Sequence, residues 1–490
     1  MKKGFLQFGI IFVSLLFVLF SCEMNVEHVH TYSEEWTSNE INHWHVATCG
    51  HEEVIDIEEH TFSDWKVTKA ATEEAECTKE RICTVCNYRE EKEVEHTFSD
   101  WEEKDAITLI RTCNECNYVA EMLNIENIKA TNLPIVRINT KDGLSVTSKE
   151  NWKDAKMEIS NAADESWNFD DIEIEIRGRG NTTWSQPKKP YAIKLGKKQQ
   201  ICGMPKHKRW VLIANYLDNS FMKNEVAFYL SEQLGMDYTV RGEFVNLVLN
   251  DKYIGLYWLG EQIKVDENRV GIDEEKDYLV EMDVYYDETW KFKSEIKNLP
   301  YMIKNDDDMS QEKLDSLMGD INALERALYG EEEINLEDYI DVDSFAKFYI
   351  VNEIMGNGEL NHPKSSYFTF NSSTKILSAG PVWDFDWAGA SSSGSLKINN
   401  SIYYDELFTH SEFSEKVEEL LALENLTVEN IEKQIENMKS YISASAALDK
   451  LVWGVHKNPV GSQFNSFDEY VENLKLCVKT RLDFLKAYDF

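Results

Sequence analysis

The chain has 490 residues, which is long enough for roughly three domains. It is 42% hydrophobic and 12% aromatic, so it contains enough apolar side chains for a sizeable core. Its 51 Lys and Arg residues stand against 88 Asp and Glu residues, and the net charge of -37 argues against nucleic acid or an anionic membrane surface as a partner.

The first 22 residues, MKKGFLQFGIIFVSLLFVLFSC, have the layout of a secretion signal. Two lysines precede an apolar run from Phe8 to Phe20, which is too short to span a bilayer comfortably. The LFSC that ends this stretch resembles a bacterial lipoprotein signal, in which the cysteine is lipidated and becomes the mature N-terminus. We therefore predict a lipoprotein signal peptide over residues 1–22, with Cys22 lipidated and the protein held at the cell envelope or surface by acyl chains alone. If Cys22 is not lipidated, we expect a secreted protein.

A repeated sequence follows the signal, over residues 23–125. Its motifs are HTYSEEW at 30–36, HTFSDW at 60–65 and 96–101, CTVCNY at 83–88 and CNECNY at 113–118. This pattern corresponds to about three copies of a unit of roughly 30 to 36 residues. We predict small β modules that act as a stalk or a surface-interaction region beside the lipid anchor.

The cysteines of these repeats offer either metal ligands or disulfides. A Cys-x-x-Cys turn with a further cysteine and a histidine can close a tetrahedral zinc site. The second copy contains such a set: His60, Cys77, Cys83 and Cys86. The third copy has one ligand fewer: His96, Cys113 and Cys116. Disulfides are an equal alternative, because export to an oxidising compartment favours them.

From about Leu133, alternating apolar and polar residues predict β-strands. The segments are LPIVRINT (133–140), IEIEIRGRG (172–180), WVLIAN (210–215) and the hairpin EFVNLVLNDKYIGLYWLGEQI (243–263). The hairpin is expected to turn at Asn250-Asp251. Between the strands, DNSFMKNEVAFYLSEQLG spaces its apolar residues at helical intervals, which predicts a helix that begins near Asp218 and stops at Gly235.

After about residue 310 the apolar residues recur mostly at helical spacing. The helical segments are residues 314–328, 341–356, 411–423, 428–442 and 469–487. A strand-rich first half and a helix-rich second half predict an α+β, two-lobed enzyme body over residues 130–490.

Two stretches have unusual chemistry. In RGRGNTTWSQPKKPYAIKL (177–195), two glycines allow close backbone approach to a ligand, and a polyphosphate would require such a group of cations in an acidic chain. These cations are Arg177, Arg179, Lys188, Lys189 and Lys194. In GPVWDFDWAG (380–389), Asp384 and Asp386 stand among three large rings, where a carboxylate is costly without a partner. Two like charges so close favour a bound cation or a raised pKa.

Four of these segments together resemble a known family. IRGRGNTTW...KKPYAIKL, WVLIANYLDNSFMKNEVAFYLSEQLG, YIGLYWLGEQI and GPVWDFDWA occur in this order and resemble the spore coat protein CotH kinase family. The resemblance covers residues 133 to about 490 and does not extend to the repeats. It implies a divergent protein-kinase-like fold that uses ATP and Mg²⁺ or Mn²⁺ to phosphorylate Ser or Thr of surface or coat proteins.

The resemblance also implies roles for individual residues. Those expected to bind nucleotide are Arg177, Arg179, Lys194 and Glu261. Lys194 would contact phosphate, and Glu261 would orient it or help to organise the metal. Asp384 would hold the metal, with Asp386 as a second ligand or a brace for the loop.

The segment NEIMGNGELNHPKSSYFTF (352–370) departs from the family. Many members carry Asp where this chain has Glu359, and Asn where it has Ser366. Glu359 keeps the charge of a catalytic or metal-binding carboxylate, whereas Ser366 is a poorer ligand for a hard cation than an amide carbonyl. Asn361, His362 and Lys364 are candidates to replace that ligand.

Two functions of different classes follow. The first is a surface-anchored, metal-dependent kinase that acts on a protein substrate. The second is a non-catalytic, kinase-like scaffold or adhesion protein displayed on the repeats. The predicted extracellular location and the departures from the family at Glu359 and Ser366 favour this second function. A zinc enzyme ranks below both, because no HExxH motif occurs and no ligand set has an evident open position beside a general base.

Overall fold

The computed structural model describes residues 28–69, 76–305, 307–388, 394–455 and 463–490. The predicted signal peptide and Cys22 lie outside the described residues. The smaller of two units consists of the described residues up to Trp101 together with Ile110–Ala120, and the larger of Glu102–Leu109 and Glu121–Phe490. Across the described ranges, we find no helix with the length and apolar character that a membrane span needs.

The repeats form short antiparallel strands separated by tight turns. The first copy folds as a sheet in the order β1-β2-β3, and the second as β4-β5-β6. In the CxxCNY motif the asparagine has a left-handed backbone, with φ of 62° at Asn87 and 57° at Asn117, a conformation that Asn tolerates better than most residues. The strands are β1 (Thr37–Ser38), β2 (Asn42–Val46), β3 (Val54–Glu59), β4 (Lys66–Lys69), β5 (Cys77–Ile82), β6 (Arg89–Val94), β7 (Glu102–Asp105), β8 (Thr108–Thr112) and β9 (Val119–Leu123).

Seven strands of the larger unit close into a barrel, in the order β10-β11-β12-β13-β14-β16-β15. Their alternating residues fill it; Ile174 and Ile176, for example, are buried while Glu173 is exposed. The predicted hairpin turn is confirmed, because Asn250 and Asp251 both have positive φ, at 50° and 58°. The strands are β10 (Ile135–Thr140), β11 (Lys153–Ser160), β12 (Phe169–Gly178), β13 (Tyr191–Ile201), β14 (Met204–Ile213), β15 (Gly242–Leu249) and β16 (Lys252–Glu261).

A second, antiparallel sheet has the strand order β18-β19-β17-β20-β21. Its buried residues, such as Val280 and Phe368, belong to the same large hydrophobic core as the helices. The strands are β17 (Tyr278–Met282), β18 (Lys291–Lys293), β19 (Pro300–Ile303), β20 (Ser366–Phe370) and β21 (Leu377–Ala379).

The helices follow mostly in the C-terminal part, so the predicted α+β class is confirmed. Side chains of Ser310, Thr427 and Ser466 accept backbone N–H groups at the starts of three helices, as N-caps do. The helices are α1 (Ile125–Lys129), α2 (Lys223–Gln233), α3 (Gln311–Leu328), α4 (Val342–Ile354), α5 (Tyr404–Leu407), α6 (Ser411–Leu421), α7 (Val428–Trp453) and α8 (Phe467–Lys486).

The predicted start of α2 near Asp218 was wrong. The Asp218 carboxylate accepts the N–H groups of Ser220 and Lys223 at 2.9 Å, and this folds the intervening residues into a turn. The helix therefore begins at Lys223, and its first turn lies against the GPVWDFDWAG segment.

Candidate functional site

A cleft opens in the larger unit, at the aspartate turn and the Gly-Arg loop. Four residues that the sequence singled out line it: Arg179, Glu359, Asp384 and Asp386. Three that it did not assign to the site also line it: Asn224, Asp283 and Tyr285.

The aspartates of GPVWDFDWAG lie on a turn that α2 holds in place. Asp384 has a positive φ of 66°, which is uncommon for a residue with a side chain and interrupts an extended strand. Asn224 accepts the N–H of Phe385 at 2.9 Å and donates its amide to the Asp386 carboxylate at 2.8 Å. Asp386 is 3% exposed. The partner of Asp386 is thus an amide of the protein, while Asp384 faces the cleft.

Carboxylates are crowded in this cleft. Burial and the neighbouring Glu359 raise the pKa of Asp384, and the Arg179 guanidinium opposes that rise. Burial and the charge of Asp384 raise the pKa of Asp386 to about 7. Carboxyl groups arranged in this way are suited to a hard divalent cation, which prefers oxygen ligands and relieves their repulsion.

Asp283 is a further cleft carboxylate, placed just after β17. Its oxygens accept the N–H groups of Tyr285 at 2.8 Å and Ser365 at 3.0 Å. Burial raises its pKa to about 6, and these two N–H groups oppose the rise. The residue is therefore held firmly at the edge of the cleft.

Glu359 lies in a short 3₁₀ helix, Gly358–Asn361, and forms an ion pair. The Lys364 Nζ lies 3.1 Å from the Glu359 Oε1. Burial opposes the charge on Lys364, but the hydrogen bond to Glu359 prevails and raises the pKa of the lysine. The cleft thus has an internal cation beside the carboxylate.

The two other polar residues of this segment are used elsewhere. The Asn361 amide donates to the backbone oxygens of Gly358 and Lys397 at 3.0 Å, and its oxygen accepts the Ser401 hydroxyl at 2.7 Å. Ser366 is buried and donates to the Lys364 carbonyl at 3.1 Å. Neither is among the described residues that line the cleft.

Of the two arginines in the Gly-Arg loop, Arg179 lines the cleft and Arg177 does not. Within the described residues, Arg177 and Lys194 contact the ring of Trp152 instead, at 4.5 Å and 5.8 Å from its centroid. Lys194 also forms an ion pair with Glu175, at 2.5 Å. Side chains alternate along a strand, and the buried Ile193 leaves Lys194 on the outer face of the barrel.

The remaining lysines of this stretch have structural partners. Lys188 is buried, and its Nζ lies 2.5 Å from the Asp449 carboxylate of α7, which also accepts the N–H of Leu256. Lys189 donates to the carbonyl of Trp184 at 2.7 Å. The expected group of five cations is thus reduced to Arg179 at the cleft.

The glycines of the loop allow close packing within the chain. A Cβ at Gly178 would lie 2.3 Å from the ring of Trp184. Gly180 has a φ of +79°, and a Cβ there would lie 2.2 Å from the Thr183 hydroxyl. Both positions therefore need glycine to fold the loop over its own side chains.

Glu261 is fully buried in an ion cluster and is not among the described cleft residues. Its oxygens accept two hydrogen bonds of 2.9 Å from the Arg241 guanidinium and one of 3.0 Å from Tyr238. The Arg269 Nε lies 3.7 Å away. These partners account for the burial of this carboxylate without a ligand.

Comparison with protein families identifies the family to which the larger unit belongs. Residues 176–485 match the family described as CotH kinase protein. The chain belongs to the CotH kinase protein family. This match covers the Gly-Arg loop, α2 and the aspartate turn, and membership indicates an atypical kinase as the class of function. A search of curated proteins gave no match.

The smaller unit groups its cysteines and histidines differently from the sequence prediction. Cys77 lies with His96, Cys113 and Cys116, and not with His60. Cys77 begins β5, and its sulfur lies 3.7 Å from the Nδ1 of His96 in the following copy. The clusters are His28, His30, Cys49 and His51; His43, His60, Cys83 and Cys86; and Cys77, His96, Cys113 and Cys116. All eight cysteines in the described ranges are free of disulfides.

Proposed function

We propose that this CotH kinase family member is an ATP- and divalent-metal-dependent atypical kinase with a two-lobed, protein-kinase-like body. It transfers phosphate to Ser or Thr of surface or coat proteins, and it is anchored in the cell envelope through Cys22. The observation that carries the proposal is the cleft, which Arg179 lines together with the carboxylates of Asp384, Glu359 and Asp283. Phosphoryl transfer requires this combination of metal-holding carboxylates and a cation for the phosphates.

Each residue has a distinct role in this scheme. A bound Mg²⁺ or Mn²⁺ would neutralise the charge of the nucleotide phosphates. Asp384 would hold the metal, because the Asn224 amide donates to one oxygen of Asp386, whereas no such hydrogen bond from Asn224 holds the Asp384 carboxylate in the described part of the chain. Arg179 would stabilise the negative charge on the phosphates, and Glu359 would orient the acceptor hydroxyl and accept its proton.

Transfer of labelled phosphate from ATP tests this function. We expect transfer to protein acceptors that requires Mg²⁺ or Mn²⁺ and is lost in Asp384→Asn, a variant that keeps the shape of the side chain and removes its charge. The matched control is Asp483→Asn, which changes an exposed aspartate paired with Lys479 at 2.7 Å on α8. Label persisting in Asp384→Asn at the rate of the control would contradict the role of Asp384.

The ion pair between Glu359 and Lys364 favours a second candidate. A carboxylate that an internal lysine already neutralises, at 3.1 Å, suits a cleft that has lost catalysis. The larger unit would then be a scaffold or adhesion body. Calorimetry separates the two candidates, because the scaffold predicts no binding of ATP at millimolar concentration in the presence of metal.

A further inference from the structure

The third Cys/His cluster has the dimensions of a tetrahedral metal site. The His96 Nδ1 lies 3.7 Å from the sulfur of Cys77, 3.3 Å from that of Cys113 and 3.7 Å from that of Cys116. Tetrahedral zinc, with bonds of about 2.3 Å to sulfur and about 2.0 Å to nitrogen, separates these atoms by about 3.6 Å. All four ligand atoms also lie within 4.8 Å of one another, so they surround one position that suits zinc.

The second cluster has the same arrangement with a histidine in place of one cysteine. The His60 Nδ1 lies 3.3 Å from the Cys86 sulfur, and its Nε2 lies 2.8 Å from the carbonyl of Asn39. A hydrogen bond from Nε2 to a carbonyl leaves the lone pair on Nδ1 free, as is usual for a ligating histidine.

His43, the fourth member of this cluster, is independent evidence for a ligand. It is 0% exposed, and within the described part of the chain neither of its ring nitrogens has a hydrogen-bond partner. A buried polar group without a partner is unfavourable. A metal bound beside His60, Cys83 and Cys86 would satisfy one of the two ring nitrogens.

The first cluster supplies one sulfur and three imidazoles. The His30 Nδ1 lies 3.1 Å and the His51 Nδ1 3.4 Å from the Cys49 sulfur. The His30 Nε2 lies 3.0 Å from a Glu53 oxygen, which is the carboxylate–histidine pairing of many zinc sites. His30 and His60 thus present the same ring nitrogen to their clusters.

The sequence explains how the clusters connect. Each uses the histidine and the cysteine turn of one repeat and takes its fourth ligand from upstream. His43 and Cys77 stand six residues before the first cysteine of their own copies, Cys49 and Cys83, yet each lies in the cluster of the next copy. The third copy has Ile107 at this position, so no ligand is passed on, and the first cluster is completed by His28.

We propose that the smaller unit is a linear array of three zinc sites, in which each of the first two repeats donates one ligand to the site of the next. Tetrahedral Cys₂His₂ and Cys₃His sets, as in the second and third clusters, are typical of structural zinc. The first cluster combines one thiolate with three imidazoles, and both are ligand types that zinc accepts. Zinc binding then links neighbouring repeats as well as folding each one, because the second and third sites cannot close without the preceding copy.

The number of zinc ions per chain tests the array. The full chain, reduced, loaded with zinc and desalted, is expected to carry three zinc ions by native mass spectrometry. Cys77→Ser is expected to leave two, and Cys77→His, which inserts the ligand found at the equivalent position 43, is expected to restore three. The matched control is Cys202→Ser, a buried cysteine of the larger unit, which should retain three.

Paired variants test the sharing of ligands. Because Cys77 and Cys116 belong to one site, the double variant Cys77→Ser with Cys116→Ser should lose one zinc ion. Cys77→Ser with Cys86→Ser affects two sites and should lose two. The reverse pattern, or a wild-type chain that retains fewer than three zinc ions, would overturn the proposal.

Discussion

Arg179 brings positive charge to the cleft beside Asp384, where its guanidinium opposes the rise in the pKa of that carboxyl, while Lys364 pairs with Glu359. Lys194 has a similar charge but lies on the outer face of the barrel with Glu175. We predict that Arg179→Ala lowers the rate of phosphate transfer about 100-fold, as removal of one charge-stabilising group does. Lys194→Ala should stay within about 2-fold of wild type. Equal losses in initial-rate measurements would contradict the placement of the two cations.

The sequence identified some cleft residues and missed others for physical reasons. Arg179 and Asp384 stand in short motifs whose composition is unusual, so they could be found. Asp283 follows an ordinary buried strand, and only the packing of β17 beside β20 carries it to the cleft. Lys194 and Glu261 were assigned by resemblance, which does not specify the face of a strand on which a side chain lies.

At the scale of elements, the first turn of α2 positions the aspartate turn. Asn224 is 4% exposed and hydrogen-bonds both Phe385 and Asp386. We predict that Asn224→Ala lowers the free energy of unfolding by about 3 kcal/mol, because it leaves two buried polar groups without partners. Asn430→Ala, which removes an exposed bond to the Asn425 carbonyl, should cost less than about 1 kcal/mol. Equal urea midpoints for the two variants would show that the hydrogen bonds of Asn224 do not stabilise the aspartate turn.

Glu225, also on α2, makes the stability of the protein depend on pH. Burial raises its pKa to about 7, although the hydrogen bond from Trp258 opposes the rise. Between about pH 5 and 7 the unfolded chain loses this proton while the folded chain keeps it, so the contribution of Glu225 to stability falls as pH rises. Glu225→Gln should therefore be more stable than wild type by about 1–3 kcal/mol at pH 8, and nearly equal to it at pH 4. A constant difference across this range would exclude Glu225 as the cause.

The strand and helix pattern of the larger unit was readable from periodicity, since each predicted segment overlaps an observed strand or helix of the same type, although their ends differ. The closure of seven strands into a barrel was not, because it depends on the parallel pairing of β10 with β15, which are far apart in the sequence. The sequence analysis also did not predict that His43 and Cys77 each lie in the cluster of the next repeat. The equal spacing of these two residues from the cysteines after them was the available signal.

At the scale of the whole molecule, the two units are expected to respond differently to loss of metal. If zinc holds the smaller unit, a strong chelator should make residues 28–120 sensitive to trypsin while the larger unit keeps its helical circular dichroism. The larger unit has its own extensive core and needs no zinc for it. Resistance of residues 28–120 after complete removal of metal would contradict a structural role for zinc.

The proposed kinase function requires that the cleft bind nucleotide through a divalent metal held at Asp384. Titration calorimetry of ATP with and without Mg²⁺, on wild type and Asp384→Asn, tests it most directly. We predict binding that requires Mg²⁺ in wild type and is at least about 10-fold weaker in the variant, a loss of about 1.4 kcal/mol. Binding of equal strength in both proteins, or binding that persists unchanged in EDTA, would contradict the account.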